Sequence, residues 1–308
     1  MKKAVVICGP TAVGKTSIGL KIAKEKNGSL ISADAVQVFN TLDIISGKDK
    51  DEFGDIPVKL IDIVSPVESF SVSQFEKHAK MEIKSICNAG KLPIIVGGTG
   101  LYVKAIVDGI PTSRVKPDFK LREELEILTL ETLQNRLLNL DAKTFNSMNE
   151  SDRKNKRRII RKIEIAGDGI KNQPASPSLG GELRIKNENK LEFLQIGLEL
   201  SREELIKRID LRVNERIKQG AWKEAKDLFE NYDNLTQQVK DANGYKQLFE
   251  HFLGNNTLDE AIEKWKLSEY KHAKNQMTWF KKDTRIKWYD AERKDLIEAV
   301  SSEIDAFL

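Results

Sequence analysis

Short apolar runs alternate with amphipathic stretches through the first third of the chain. Ala4–Cys8, Leu30–Ser32, Lys59–Val64 and Pro93–Val96 have the length and composition of buried strands, and Ser71–Gly90 carries helical spacing. Over Met1 to about Pro111 this alternation predicts an α/β fold, a parallel sheet flanked by helices, with its ligand at the strand C-termini. From about Thr112 to Lys190 the pattern turns helical and highly charged, ending in a Gly/Pro/Ser-rich segment, Gly167–Gly181, that reads as an exposed loop. An inserted, mainly helical lobe is expected there. Leu191–Leu200 returns as an apolar strand, Ser201-Arg-Glu-Glu204 resembles a capping box for a helix toward Gly220, and the rest to Leu308 reads as mostly helical. The expected division is residues 1–113 as the first part of the core, 114–190 as the insertion and 191–308 as the completion of the core.

Composition narrows the class. A chain of 308 residues with 40% hydrophobic content can bury a sizeable core. The apolar run before Gly9-Pro10 is too short for a signal-peptide core or a membrane span, so no membrane partner is expected. Cys8 and Cys87 match no metal spacing, and a cytoplasmic location is expected. A net charge of +4 permits a nucleic-acid partner without requiring one.

The chemistry starts at Gly9-Pro10-Thr11-Ala12-Val13-Gly14-Lys15-Thr16, a complete phosphate loop directly after the first apolar run. Its backbone N–H groups cradle an anion, Lys15 reaches a terminal phosphate, the Thr16 hydroxyl suits Mg²⁺, and the helix from Ser17 to Lys26 favours the same anion. The chain is therefore expected to bind a di- or triphosphate. Asp34 follows the second expected strand. It either faces the phosphate site across the shared crevice or caps the next helix, and both readings stay open. A third motif, Gly97-Gly98-Thr99-Gly100, ends the expected strand Pro93–Val96, letting backbone approach a ligand and presenting the Thr99 hydroxyl.

Two basic regions complete the inventory. At helical spacing Lys154, Arg157, Arg158 and Arg161 fall on one face and Ile159, Ile160 and Ile163 on the other. Such a stripe is either a solvated face or, because arginine grips phosphate bidentately, a nucleic-acid contact. Near the C-terminus Lys271, Lys274, Lys281, Lys282, Arg285 and Lys287 interleave with Tyr270, Trp279, Phe280, Trp288 and Tyr289. That mixture suits unpaired bases or simple core anchoring.

In this order the motifs resemble the tRNA dimethylallyltransferase family along nearly the whole chain. The matches are the phosphate loop, Asp-Ala-Val-Gln-Val-Phe at 34–39, Leu-Ile-Asp-Ile at 60–63, Phe-Ser-Val-Ser-Gln-Phe at 70–75, Val-Gly-Gly-Thr-Gly-Leu-Tyr at 96–102, Arg-Arg-Ile-Ile-Arg at 157–161, Arg-Ile-Asp-Leu-Arg-Val at 208–213 and Gln-Met-Thr-Trp-Phe at 276–280. The resemblance implies transfer of a dimethylallyl group from dimethylallyl diphosphate to N6 of the adenosine 3′ of a tRNA anticodon, releasing diphosphate. It implies Mg²⁺ at Thr16, Lys15 and Arg212 on the diphosphate with residues 9–16, Asp34 as general base, and Thr99 positioning the reacting groups. It further implies that Asp34, Ala35, Val36, Gln37, Thr99, Arg122, Arg157, Arg158 and Arg161 meet the anticodon stem-loop. A monomer is expected.

The chain departs from the family pattern at Ala35 and Phe39, where Ser and Tyr are usual, which removes two hydroxyls near the expected base. It also departs at Ile45–Lys50, Val58-Lys59, Glu269-Tyr270 and Asn275, changes expected around tRNA contacts more than around the diphosphate. Other readings are a small-molecule or nucleotide kinase using ATP, a divergent paralogue with another nucleic-acid acceptor, and an RNA-binding protein with a vestigial phosphate loop. The Gly97-Gly98-Thr99 strand end and the two basic regions count against the kinase. The intact Lys15, Thr16, Asp34 and Thr99 count against the vestigial loop.

Overall fold

Two-residue alternation in the first strand sets the two faces of the sheet. In the computed structural model, which describes residues 2–110, 115, 118–167 and 191–308, β1 (Lys2–Cys8) sends Ala4, Val6 and Cys8 into one apolar cluster and Val5 and Ile7 into another. Both clusters are buried, so β1 is apolar from Ala4 to Cys8, as a strand covered on both faces must be. With β2 (Gly28–Ser32), β3 (Val58–Lys59), β4 (Leu92–Gly97), β5 (Leu191–Glu199) and β6 (Lys287–Asp290) it forms a six-stranded, all-parallel sheet in the order β3-β2-β4-β1-β5-β6.

Helices cover both faces. On one side α1 (Lys15–Glu25) contributes Ile22 and Ala23, and α14 (Leu296–Phe307) contributes Leu296, Val300 and Ile304. The other side is larger, with α2 (Val72–Asn88), α3 (Gly100–Val107), α9 (Arg202–Lys218), α10 (Ala221–Phe229), α11 (Gln237–Lys240), α12 (Tyr245–Phe252) and α13 (Leu258–Phe280). Side-chain caps fix several starts: Ser71 and Gln74 form a reciprocal box for α2, Thr257 and Glu260 do so for α13, and the Ser201 hydroxyl accepts from Glu204 N–H at α9.

The chain divides into two compact units, one of Met1–Gly109 with Ile185–Leu308 and one of Ile110–Arg184. The second unit holds α4 (Phe119–Glu126), α5 (Leu130–Leu140), α6 (Ala142–Ser147), α7 (Glu150–Arg153) and α8 (Lys156–Gly167). It has its own core, built on Leu125, Leu133, Leu137, Ile159 and Ile163. The loop expected over Gly167–Gly181 lies, beyond its first residue, outside the described residues. Among the described residues no helix is long and apolar enough to cross a membrane.

Three local expectations are corrected. Of the run Lys59–Val64 only Lys59 lies in a strand, the last residue of β3, because Leu60 and Asp62 take left-handed φ values of 62° and 56° that no strand tolerates. Val64 keeps one isolated parallel bridge to Phe39. β6 interrupts the C-terminal region read as helical; it lies beside β5, where a Cβ on Gly197 would meet Ile286 and Trp288 at 2.6 and 2.7 Å. Lys154 closes α7 rather than joining α8, so the stripe on α8 consists of Arg157, Arg158 and Arg161.

Candidate active site

The phosphate loop is shaped by what its glycines permit. Gly9 leaves β1 with φ 146°, and a Cβ there would lie 2.4 Å from the Leu198 carbonyl oxygen of β5. Ala12 and Gly14 both take positive φ, and Gly14 is the N-cap of α1, so Lys15 and Thr16 open the helix. Val13 is buried and anchors the loop in the core. Cys8 is buried too; loss of water pushes its thiol up to about 12, and it packs as a small apolar side chain.

Lys15 donates to the Pro10 carbonyl oxygen at 2.6 Å. Its ammonium is pulled down to about 8, first by loss of water and then by the Arg212 guanidinium; Asp34, Cys8 and Glu269 act in the opposite direction. Three segments distant in sequence, carrying Asp34, Arg212 and Glu269, thus act on this ammonium. Arg212, from α9, donates to the Thr11 hydroxyl at 2.9 Å. Thr11 N–H donates to the Gln276 side-chain oxygen at 2.8 Å, and the Gln276 amide nitrogen donates to the Gly98 carbonyl at 3.0 Å. A single buried amide from α13 therefore joins the phosphate loop to the end of β4.

The ends of β2 and β4 are pressed together by missing side chains. A Cβ on Gly97 would lie 2.2 Å from the Ala33 carbonyl oxygen, and one on Gly100 would lie 2.2 Å from Trp279. Thr99 N–H donates to Ala33 O, while the Thr99 hydroxyl accepts from Ala35 N–H at 3.0 Å. Asp34 caps a turn and no helix: its Oδ1 accepts from Val36 N–H at 2.8 Å and Gln37 N–H at 3.2 Å. The helix-capping reading is thus corrected to a turn cap, while the Asp34 carboxylate favours the charged form of the Lys15 ammonium.

Other expected contacts are spent inside the protein. The Gln37 amide accepts from the Ser32 hydroxyl and donates to the carbonyls of Ser46 and Gly47. Phe39 is fully buried, so its missing hydroxyl does not face a ligand. In the C-terminal mixture Phe280 is core, Lys281 lies 4.1 Å from the Trp288 ring centre, and Arg285 pairs with Asp108 and Asp283. Trp279 is half exposed beside Gly100.

In the second unit Glu164 is buried, and its carboxylate takes Arg122 bidentately at 2.9 and 2.8 Å, Arg161, and the Asp118 N–H. Burial works against the Glu164 charge, but Arg122 and Arg161 outweigh it and hold the carboxyl below its ordinary value. Arg161 also donates to the Val115 carbonyl, Arg158 pairs with Asp152, and Arg157 is exposed.

With this geometry in view, comparison with known proteins is decisive. The sequence model of the IPP transferase family matches residues 37–283, and one described as isopentenyl transferase matches residues 2–54. A tRNA dimethylallyltransferase of Bacillus cytotoxicus is 37% identical over 295 residues, covering 94% of this chain and 90% of that protein. This chain belongs to the IPP transferase family. Among solved structures, the tRNA isopentenylpyrophosphate transferase of Bacillus halodurans is 33% identical with a TM-score of 0.72, covering 99% of this chain and 96% of its own. A eukaryotic dimethylallyltransferase described as acting on tRNA is 25% identical with a TM-score of 0.78, covering 99% of this chain and 78% of its own.

For an IPP transferase the residue that sequence reasoning missed most plainly is Gln276. It was visible only as the first letter of the Gln-Met-Thr-Trp-Phe motif. Two of the departures from the family pattern, Ile45 and Glu269, line a small cavity with Thr11, Arg212 and Arg216 beside the phosphate loop. Trp265, fully buried, donates to Glu269 there at 3.2 Å.

Proposed function

We propose that this IPP transferase moves the dimethylallyl group of dimethylallyl diphosphate to N6 of the adenosine 3′ of a tRNA anticodon. The observation that carries the reading is the meeting of Lys15, Arg212 and Asp34 at one end of the sheet: two cations for a diphosphate, and a carboxylate for an amine. The adenine amino nitrogen attacks the allylic carbon, the carbon–oxygen bond to diphosphate breaks, and Asp34 takes the amino proton. Both turn bonds fall on Asp34 Oδ1, which leaves Oδ2 for that proton. Lys15 and Arg212 give up neutral oxygen partners to meet the charge that grows on the departing diphosphate. Thr99 holds the Asp34 turn through Ala35 N–H.

The donor set also fits Mg²⁺. Thr16 supplies one hard hydroxyl in the first turn of α1, and such an ion is completed by phosphate oxygens and water rather than by a protein cage. When bound, the ion neutralises charge on the diphosphate. Arg157 and its neighbours on α8 are assigned to the tRNA backbone, and the target base is turned out of its stack at a cost of roughly a few kcal/mol. We further infer a monomer, and the substrate tRNA supports a cytoplasmic setting.

The test pairs two donors. Undermodified tRNA is incubated with labelled dimethylallyl diphosphate and, separately, with ATP labelled at its terminal phosphate. Label entering tRNA from the first supports the reading; label leaving ATP for an acceptor, with none from the prenyl donor, replaces it with a kinase.

A further inference from the structure

Two arginines one turn apart on α9 meet the same short loop but end on different partners. Arg212 rests on the neutral Thr11 hydroxyl of the phosphate loop. Arg216, only 7% exposed, grips Asp49 bidentately at 2.5 and 2.6 Å and also donates to the Gln219 side chain at 2.9 Å. Between them lies Gly47. Its φ is +69°, and a Cβ there would sit 2.3 Å from one Arg212 terminal nitrogen and 2.9 Å from one of Arg216. Both guanidinium groups therefore lie against bare backbone, which is the floor on which Arg212 reaches the phosphate loop.

That floor is held from two sides. The Gln37 amide donates to the Gly47 carbonyl at 3.0 Å, tying the loop to the Asp34 turn. Asp49, two residues on, adopts φ 45°, a left-handed conformation that a non-glycine residue keeps only where its surroundings hold it. Its grip on Arg216 supplies that hold. The pair also sorts charge. Lys15, Arg212 and Arg216 would repel one another if all were bare; Asp49 neutralises Arg216 and leaves Arg212 available to an anion.

Resting on the donor reading above, we propose that Asp49 and Arg216 are positioning residues for the prenyl diphosphate: the ion pair fixes Gly47 beneath Arg212 and so sets the reach of Arg212 to the leaving group. Arg216 lines the small cavity beside Thr11 and Arg212, but its guanidinium is committed to Asp49. The pair lies within Ile45–Lys50 and α9, so this departure from the usual family pattern acts on the diphosphate end of the site.

The test uses the full chain and inorganic diphosphate, measured by titration calorimetry, alongside steady-state transfer kinetics. The double variant Asp49→Asn/Arg216→Met carries no unpaired charge and so avoids the folding defect that either single change risks. It is expected to bind diphosphate about tenfold to a hundredfold more weakly, raising the donor KM and also lowering kcat, because Arg212 meets the charge that grows on the leaving group, while the tRNA KM stays unmoved. Asp49→Glu, which keeps the charge, is expected to recover part of the loss. A double variant with wild-type diphosphate affinity and donor KM overturns the proposal, and a lowered melting temperature with unmoved affinity does so equally, since that is a purely structural role. Failure of the wild-type protein to bind diphosphate would instead overturn the donor reading itself.

Discussion

The phosphate-loop region and the α8 stripe are both rich in cations, but they spend them differently. Lys15 and Arg212 rest on a carbonyl and a hydroxyl and form no ion pair among the described residues. Arg122, Arg158 and Arg161 rest on carboxylates. A cation on a neutral oxygen keeps its full charge for an incoming anion, whereas one already on a carboxylate must give up that partner or act as part of a neutral pair. Basic residues read from sequence as one class thus divide into a strong site, at the sheet, and a weakly attracting surface, on the insertion. Within α9 the same division separates Arg212 from Arg216.

Changes at the sheet should outweigh changes on the insertion. The largest effect is expected for Asp34→Ala, with turnover falling by about 10²–10⁴-fold while tRNA affinity measured by filter binding holds. A variant that keeps most of its rate would remove Asp34 as the base. Next comes pH. Since Lys15 loses its proton near 8 in the ligand-free protein, diphosphate affinity should fall by up to about tenfold per pH unit above that point, and Lys15→Arg should flatten the fall. Lys15 titrates below an unfolded lysine, so holding its proton works against folding below about 8, and that penalty is relieved as pH rises toward the ordinary lysine value.

On the insertion, Glu164→Gln should destabilise by about 1–3 kcal/mol, read by thermal melting, because Arg122 and Arg161 lose their shared carboxylate. The same variant should steepen the salt dependence of tRNA binding, since it releases two cations. An unchanged salt slope would mean those arginines are structural only. The smallest effect is expected for Arg158→Ala, which should weaken tRNA binding only a few-fold and slightly flatten its salt dependence, because Asp152 already neutralises that charge.

The legible parts of this molecule are those whose signal is local. β1, β2, β4 and β5 each carry a short, mostly apolar run, and the Ile159, Ile160 and Ile163 face of α8 follows from helical spacing alone. β6 escaped notice because an edge strand flanked by Lys287 and Asp290 has only Trp288 and Tyr289 to mark it. The break after Lys59 could not be read, since left-handed Leu60 and Asp62 are set by the Lys48 ammonium gripping Asp62 and by the Asp62 N–H donating to Gln37 O, not by glycine. At the site, Lys15, Asp34 and Thr99 are carried by compact motifs. Gln276, and the pairing of Asp49 with Arg216 across 167 positions, depend on how α9 and α13 close over the loop, which no window of sequence contains.

The most direct measurement is calorimetric titration of inorganic diphosphate into wild-type protein, Lys15→Met, Arg212→Met and, as the insertion control, Arg157→Met/Arg158→Met. Wild type and the insertion control are expected to bind alike, with each sheet variant weaker by about 10²–10³-fold. Equal affinity across all four proteins, or a loss confined to the insertion variant, would contradict the assignment of the diphosphate to the end of the sheet.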